Sequence, residues 1–305
     1  MHYFIVNPKS SSGKGLRIWK HIEKALSEKQ IAYRVYFTNR PGHASILSKK
    51  ISGEHAPCTI IAVGGDGTAN EVIDGLTDYA SVHFGYIPTG SGNDLARGLS
   101  LPTDPSKVLE SLLNKQNVRP VNVGTITTNE FTRHFIVSSG LGFDAAVCHE
   151  VMRSRMKKLL NHFRLGKLIY LFVALKQLLL IKPCKMTITL DDQEPLEFDK
   201  IFFAAAMNTK YEGGGFMFCP DAAPDDDMLD ICVIENIPRL KILYLLPTAF
   251  SGKHTKYHGV HILKCKHARI VCDRPAALHA DGEPCGHQTD ITVSLAKKHL
   301  PFIVS

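Results

Sequence analysis

Apolar and polar positions alternate in blocks along the first third of the chain. HYFIVN (2–7), AYRVYFT (32–38), CTIIAV (58–63) and HFGYIPT (83–89) read as strands, and CTIIAV, an apolar run rich in β-branched residues, as a buried parallel one. Between them, Gly15 to Lys29 and Ala44 to Ser52 read as helices, and Asn70 to Leu76 as the first turns of another. Strands alternating with helices predict a doubly wound α/β domain on a parallel sheet, with ligands bound beyond the carboxyl ends of the strands. From about Asn122 the pattern changes. RHFIVSSGLGF, KMTITLDD, KIFFAAAMN, LDICVIEN, HILKCKHARIVCD and TDITVSLA are closely spaced strands separated by turn signals. They predict a C-terminal β-rich sandwich or meander. The boundaries are set at 1–121 for the α/β domain, 122–295 for the β-rich domain, and 296–305 for a segment returning to the first. The absence of a low-complexity linker suggests domains packed on each other, with a cleft as the ligand site.

Each polar cluster of the first third falls at a strand end: Asn7-Pro8-Lys9-Ser10-Ser11, Thr38, GGDGTAN (64–70) and PTGSGND (88–94). Their convergence on one edge predicts a nucleotide pocket. The GGDG stretch is strand, glycine turn, helix, a geometry that aims backbone N–H groups and the positive end of a helix at one point. Glycine alone would serve a structural turn. Three glycines around an acid exceed that need, and a carboxylate beside a phosphate calls for a cation between them. The spacing is not GxGxxG, and SSSGKG lacks the first glycine and final hydroxyl of a Walker loop.

At 305 residues, 44% hydrophobic and 21% charged, the composition is globular and long enough for two domains. The eight cysteines are scattered without a CxxC pair, which favours small core residues of a reducing compartment over disulfides or zinc ligation. The start carries no signal-peptide pattern, and a cytoplasmic protein is expected. The net charge of +7 points to an anionic partner. From Val151 to Lys182 there are eight basic residues (Arg153, Arg155, Lys157, Lys158, Arg164, Lys167, Lys176, Lys182) and no acid, interleaved with aliphatic residues at helical spacing. This stretch is either a helix packed on the core with a solvated basic face or an interfacial helix on anionic lipid. Too few aromatics accompany the charges for nucleic acid to be expected.

GGDGTANEVIDGL followed by IPTGSGNDLARGL resembles the catalytic domain of diacylglycerol kinases, in particular the soluble bacterial lipid kinases of a superfamily that includes sphingosine kinases and, more distantly, NAD kinases. The similarity continues through YEGGGFMFCPDAAPDDDMLDICVI (211–234) and HADGEP (279–284), so it spans most of the chain. It implies a two-domain fold with ATP in the cleft, magnesium, and ATP-dependent phosphorylation of a lipid hydroxyl, most naturally diacylglycerol giving phosphatidic acid.

Carried over by position, the resemblance assigns nucleotide binding to Asn7, Pro8, Lys9, Ser10, Ser11, Thr38, Gly64, Gly65, Asp66, Gly67, Thr68, Ala69, Asn70 and Ser91, with Asp94 joining the acidic shell. Asp94 could equally be a helix N-cap. Asp66 would act through Mg²⁺. Glu283 of the DGE motif matches the family's proton acceptor, while sphingosine kinases use the glycine-loop aspartate, which makes Asp66 the runner-up base. Asp281-Gly282-Glu283-Pro284 also reads as a plain hairpin turn. A structural magnesium is implied at Ala223, Asp226 and Met228, with a solvated acidic turn as the alternative. Two departures stand out: Asp227 where the family has glycine, and Asn122 where relatives often carry aspartate. Expected partners are ATP, a membrane lipid and an anionic membrane surface at the inner face, with a homodimer open and nucleic acid excluded. Kinases of sphingoid bases, ceramide, phosphatidylglycerol or polyprenol, an NAD kinase, and a non-enzymatic lipid or nucleotide sensor are the rival functions.

Overall fold

Every position of the strand Cys58–Gly64 is buried, as β-branched and small apolar residues require when both sheet faces are covered. The computed structural model describes residues 1–114, 117–153 and 166–304. It divides into two compact units, Met1–Val123 with Ala296–Ser305, and Gly124–Leu295.

The first unit runs β1 (His2–Val6), α1 (Ser10–Glu28), β2 (Tyr33–Phe37), α2 (His43–His55), β3 (Cys58–Gly64), α3 (Asp66–Asp74), β4 (Val82–Pro88), α4 (Asp94–Gly98), α5 (Pro105–Asn114) and β5 (Asn117–Val121). The sheet order is β2-β1-β3-β4, then the C-terminal strand, then β5. The first four strands are mutually parallel. The C-terminal strand, Leu300–Val304, runs parallel to β4 and antiparallel to β5. α1 buries Trp19, Ile22 and Leu26, one helical face, against Phe4, Val6, Ile61 and Val63. α3 begins at Asp66 rather than at Asn70, because the chain enters helical geometry as soon as it leaves the glycine pair.

The second unit runs β6 (Gly124–Thr127), β7 (Thr132–Phe135), β8 (Ser138–Gly142), α6 (Phe143–Arg153), α7 (Gly166–Leu180), β9 (Cys184–Leu190), β10 (Leu196–Met207), β11 (Leu229–Glu235), α8 (Arg239–Leu245), β12 (Val260–Cys265), β13 (His267–Ala280) and β14 (Glu283–Leu295). These strands form one antiparallel sheet, ordered β12-β11-β10-β8-β13-β14-β6-β7, with β9 pairing both β10 and β13. β9 alternates, burying Cys184, Met186, Ile188 and Leu190 and turning its polar residues outward. Of the basic stretch, Arg155, Lys157, Lys158 and Arg164 lie outside the described residues. Among the described residues, no helix is long and apolar enough to cross a membrane. The eight cysteines are free thiols, all buried except the half-buried Cys148.

Candidate active site

In the first unit the loops after β1, β3 and β4 are laced together by side chains. The Asn7 amide Nδ2 donates to Thr68 Oγ1 at 3.1 Å, while Asn7 Oδ1 accepts the Lys9 amide at 3.1 Å. Ser10 and Thr89 join through their hydroxyls, and the Thr89 N–H donates to the Gly64 carbonyl at 2.7 Å. A Cβ on Gly64 would lie 2.4 Å from Thr68 Cβ, and one on Gly90 would lie 2.9 Å from Gly65 Cα. At Gly90 the third loop meets the backbone of the second, while at Gly64 the space is taken by the Thr68 side chain of its own loop, and at both points a side chain would collide. Inside α1, Ser11, Ser12 and Gly13 depart from helical geometry with φ of 42°, 57° and 89°. Two consecutive non-glycine residues in the left-handed region are strained, and such strain gathers at functional loops. Thr38 sits one residue past β2, its N–H donating to Val6 O at 2.9 Å, and Ser91 is exposed in the loop after β4.

Asp66 is the tie between the second and third of these loops. Its Oδ2 accepts the Asp94 N–H at 3.0 Å, and its Oδ1 accepts the Leu95 N–H at 3.3 Å and the Tyr86 hydroxyl at 3.2 Å. Burial and the neighbouring Asp66 charge push the Tyr86 phenol well above its usual range, so it stays a proton donor. The capping position is not Asp94: the N-cap is Asn93, which makes no side-chain cap, and Asp94 is the first residue of α4, its carboxylate paired with Arg97 at 2.5 Å. The amides that a cap would satisfy are taken by Asp66 from a different loop.

In the second unit Asp281 and Gly282 form a two-residue hairpin turn with φ of 47° and 81°, and Ala280 faces Glu283 across it. Glu283 is thus the half-buried first residue of β14. The turn is anchored from one side by Asp281, whose Oδ1 accepts the amides of Val137 (2.8 Å) and Ser138 (2.9 Å) and whose Oδ2 accepts that of Ile136 (2.9 Å). Beneath it, His279 Nδ1 accepts the Gly282 N–H at 3.0 Å. His279 Nε2 lies 3.1 Å from Asp144 Oδ2 and 3.3 Å from Glu212 Oε1, all three side chains being buried. Burial holds the Asp144 carboxyl above the usual carboxylate range, with His279 opposing that rise and Glu212 adding to it.

Beside this polar cluster, Phe143, which precedes Asp144, lines an apolar cavity with about 50 Å³ of free space. Phe202, Phe203, Phe218, Leu178 and Leu245 contribute walls, and the one titratable lining residue, His254, has its Nε2 3.1 Å from the Phe218 carbonyl oxygen. The outer faces of α7 and α8 expose Phe172, Leu179, Leu240 and Tyr244.

The acidic loop sets Asp226 against a lysine. Asp226 Oδ1 accepts the Met228 amide at 3.1 Å and its Oδ2 meets Lys264 Nζ at 2.7 Å. The contact with Asp226 raises the Lys264 ammonium pKa, with Asp230 and Asp221 adding to it. Burial raises the Asp230 carboxyl, and its Oδ2 is enclosed without a hydrogen-bond partner. Lys264 is thus within electrostatic reach of three carboxylates, and carboxylate oxygens are the donor type that a hard divalent ion takes. Asp227 takes φ 60°, the conformation its missing glycine would adopt freely. Asn122 is buried directly after β5.

Sequence reasoning gave no role to Tyr86, His279, Asp144 or Glu212, and it had Asp281 only as part of a hairpin turn and Thr89 only within PTGSGND. The histidine and acids had one visible signal, polar side chains inside otherwise apolar runs such as AALHA and GLGFDAA.

Residues 2–126 match the family description "Diacylglycerol kinase catalytic domain", and residues 136–302 match "YegS C-terminal NAD kinase beta sandwich-like domain". The chain is 34% identical over 291 residues to the Bacillus subtilis protein named "Putative lipid kinase YtlR", with 93% of each chain covered. It is 28% identical over 280 residues to a diacylglycerol kinase of Staphylococcus saprophyticus, covering 92% of this chain and 87% of that one. A solved Bacillus anthracis structure, titled as that of "a putative diacylglycerol kinase", matches with a TM-score of 0.78 at 23% identity over 100% of this chain and 95% of that one, a likeness of fold.

Proposed function

The chain belongs to the diacylglycerol kinase catalytic-domain family, and on that premise we propose that it is a lipid kinase. It transfers the γ-phosphoryl group of ATP to a lipid hydroxyl, with diacylglycerol as acceptor and phosphatidic acid as product. The observation that carries the choice of a lipid is the cavity of the second unit, walled by phenylalanine and aliphatic side chains with no charged group among them. Such walls suit a hydrocarbon chain and offer nothing to the second substrate of an NAD kinase.

In this reading the loops around Asn7–Ser11, Gly64–Asn70 and Ser91 hold the triphosphate through backbone N–H groups and hydroxyls, the glycines allowing close approach. Thr38 borders the same strand ends. Mg²⁺, when bound, neutralises the phosphate oxygens and orients the γ-phosphoryl group. Asp66 and Asp94 supply negative charge for that ion. Glu283 accepts the hydroxyl proton as the new O–P bond forms. Asp66 is the weaker candidate for that task, because both of its oxygens already accept hydrogen bonds from Tyr86, Asp94 and Leu95. A second Mg²⁺ is held at Ala223, Asp226 and Met228 by oxygen ligands close in sequence.

The lipid is met at the inner face of a membrane, on which the protein rests peripherally. α8 and the loops after it, from Ile237 to Gly259, carry Arg239, Lys241, Lys253 and Lys256 and no acid, beside the exposed Leu240 and Tyr244. That mixture of apolar and basic groups suits an anionic bilayer surface.

The test is a kinase assay with labelled ATP and a panel of lipids in mixed micelles: diacylglycerol, ceramide, a sphingoid base, phosphatidylglycerol and a polyprenol. Diacylglycerol is the expected acceptor, and Ala249→Trp, which fills the cavity, should raise the lipid KM while leaving ATP affinity unchanged. Phosphorylation of NAD with no lipid labelled would remove the reading.

A further inference from the structure

His279, Asp144 and Glu212 offer one ring nitrogen and two carboxylate oxygens within 4.8 Å of one another, all buried, and Asp144 Oδ1 and Glu212 Oε2 have no hydrogen-bond partner. Taken by composition, this is a set of metal ligands. The imidazole decides against it. The Gly282 N–H points at Nδ1 from 3.0 Å, so Nδ1 carries the lone pair and the ring's proton sits on Nε2. That proton faces Asp144 Oδ2 and Glu212 Oε1. Against burial, the neighbouring Cys148, Glu212 and Asp144 push the imidazole well above its ordinary range, and the Gly282 N–H opposes the second proton they favour. A metal on Nε2 would need the opposite tautomer, which sets an Nδ1–H against the Gly282 N–H. The ring is therefore a hydrogen-bond bridge with one end on the carboxylates and the other on the turn.

We propose that His279 is a positioning residue for Glu283, holding the Asp281-Gly282 turn from beneath against the fixed point supplied by Asp144 and Glu212. Asp281 and Gly282 both take left-handed geometry, which an Asp-Gly hairpin turn favours, and contacts on several sides fix where that turn sits. Asp281 supplies three on one side through the amides of Ile136, Val137 and Ser138. The Asp281 N–H donates to the Ser138 carbonyl at 2.8 Å, and His279 takes the next amide, that of Gly282, immediately before Glu283. Asp144 stands in the first turn of α6, and Glu212 in the isolated bridge to Phe216, so the histidine refers the turn to two separately anchored elements. A proton acceptor must sit within hydrogen-bond reach of the hydroxyl, where misplacement by about 1 Å can cost roughly 10²-fold in rate.

This inference rests on the reading of Glu283 as proton acceptor, and a double-mutant cycle separates the two. Variants His279→Leu, His279→Asn, Glu283→Gln and His279→Leu/Glu283→Gln are compared for lipid turnover, ATP KM and thermal melting. His279→Leu removes the acceptor for Gly282 and should lower kcat by roughly 10²-fold with ATP KM unchanged. His279→Asn, whose Oδ1 can accept from Gly282, should recover most of that loss. In the Glu283→Gln background His279→Leu should cost almost nothing more, because it acts through a group already disabled. An additive loss in that background, or a kcat for His279→Leu equal to wild type while Glu283→Gln is inert, overturns the positioning role. Full turnover by Glu283→Gln overturns the parent reading instead. If His279→Leu does not fold, His279→Phe, which keeps the ring's bulk but cannot accept from Gly282, takes its place in both backgrounds. A transition metal bound at one equivalent per chain and lost in His279→Asn would also overturn it, since the tautomer would then be reversed.

Discussion

The Asp66 carboxylate accepts the backbone N–H of Asp94 at 3.0 Å, across 28 residues of sequence, and with the Leu95 amide it caps a helix that its own loop does not contain. The two glycine-bearing loops are therefore one unit mechanically, and a change in the first is felt in the second.

Asp66→Asn puts an amide NH₂ where a charged acceptor stood. Stability should fall by about 1 kcal/mol, the scale of a lost helix cap, seen as a lower melting temperature. Mg-ATP affinity, titrated without lipid, should fall as well. A variant that melts and binds Mg-ATP as the wild type does would separate Asp66 from both roles.

Glu283→Gln keeps shape but cannot accept the hydroxyl proton. Lipid phosphorylation should drop by roughly 10²-fold or more with ATP affinity retained. If instead this variant turns over normally while Asp66→Asn binds Mg-ATP and is inert, the glycine-loop aspartate is the base.

Millimolar Mg²⁺ without ATP should raise the melting temperature of the wild type, because an ion bound only by the folded state stabilises it. Asp226→Ala should lose that gain, since its carboxylate and those of Asp221 and Asp230 surround a single lysine. An unchanged Mg²⁺ response in the variant would place the ion elsewhere.

Reversing Lys241, Lys253 and Lys256 to Glu should weaken binding to anionic vesicles by about 10²-fold or more, given about 1 kcal/mol per basic residue at such a surface. Binding to neutral vesicles should change little. Equal sedimentation of both proteins with anionic vesicles, at low and high salt, would show that this face does not meet the bilayer.

The first-unit strands were legible because their burial is local information. β-branched runs such as Cys58–Gly64 can only lie between two covered faces, and each polar cluster follows such a run. Asp281-Gly282 is a two-residue turn whose conformation its own residues favour. The glycines at 64, 65 and 90 were visible as well, although not which backbone each would meet.

What the chain spacing could not determine is which distant groups share a point. His279 and Asp144 are 135 residues apart, and they meet because β13 pairs with β8, placing Asp144, in the first turn of the helix that follows β8, beside the end of β13. The same holds for Asp66 and Asp94, joined because β3 and β4 are parallel neighbours whose loops leave one edge. Periodicity reports which face of an element is buried, whereas strand order sets its neighbours, and strand order is a property of the whole sheet. The sequence by itself determined the elements, the glycine loops and the candidate acids. Only the tertiary structure decided that Asp66 holds the second loop, that Asp94 does not cap its helix, and that a buried histidine supports the turn before Glu283.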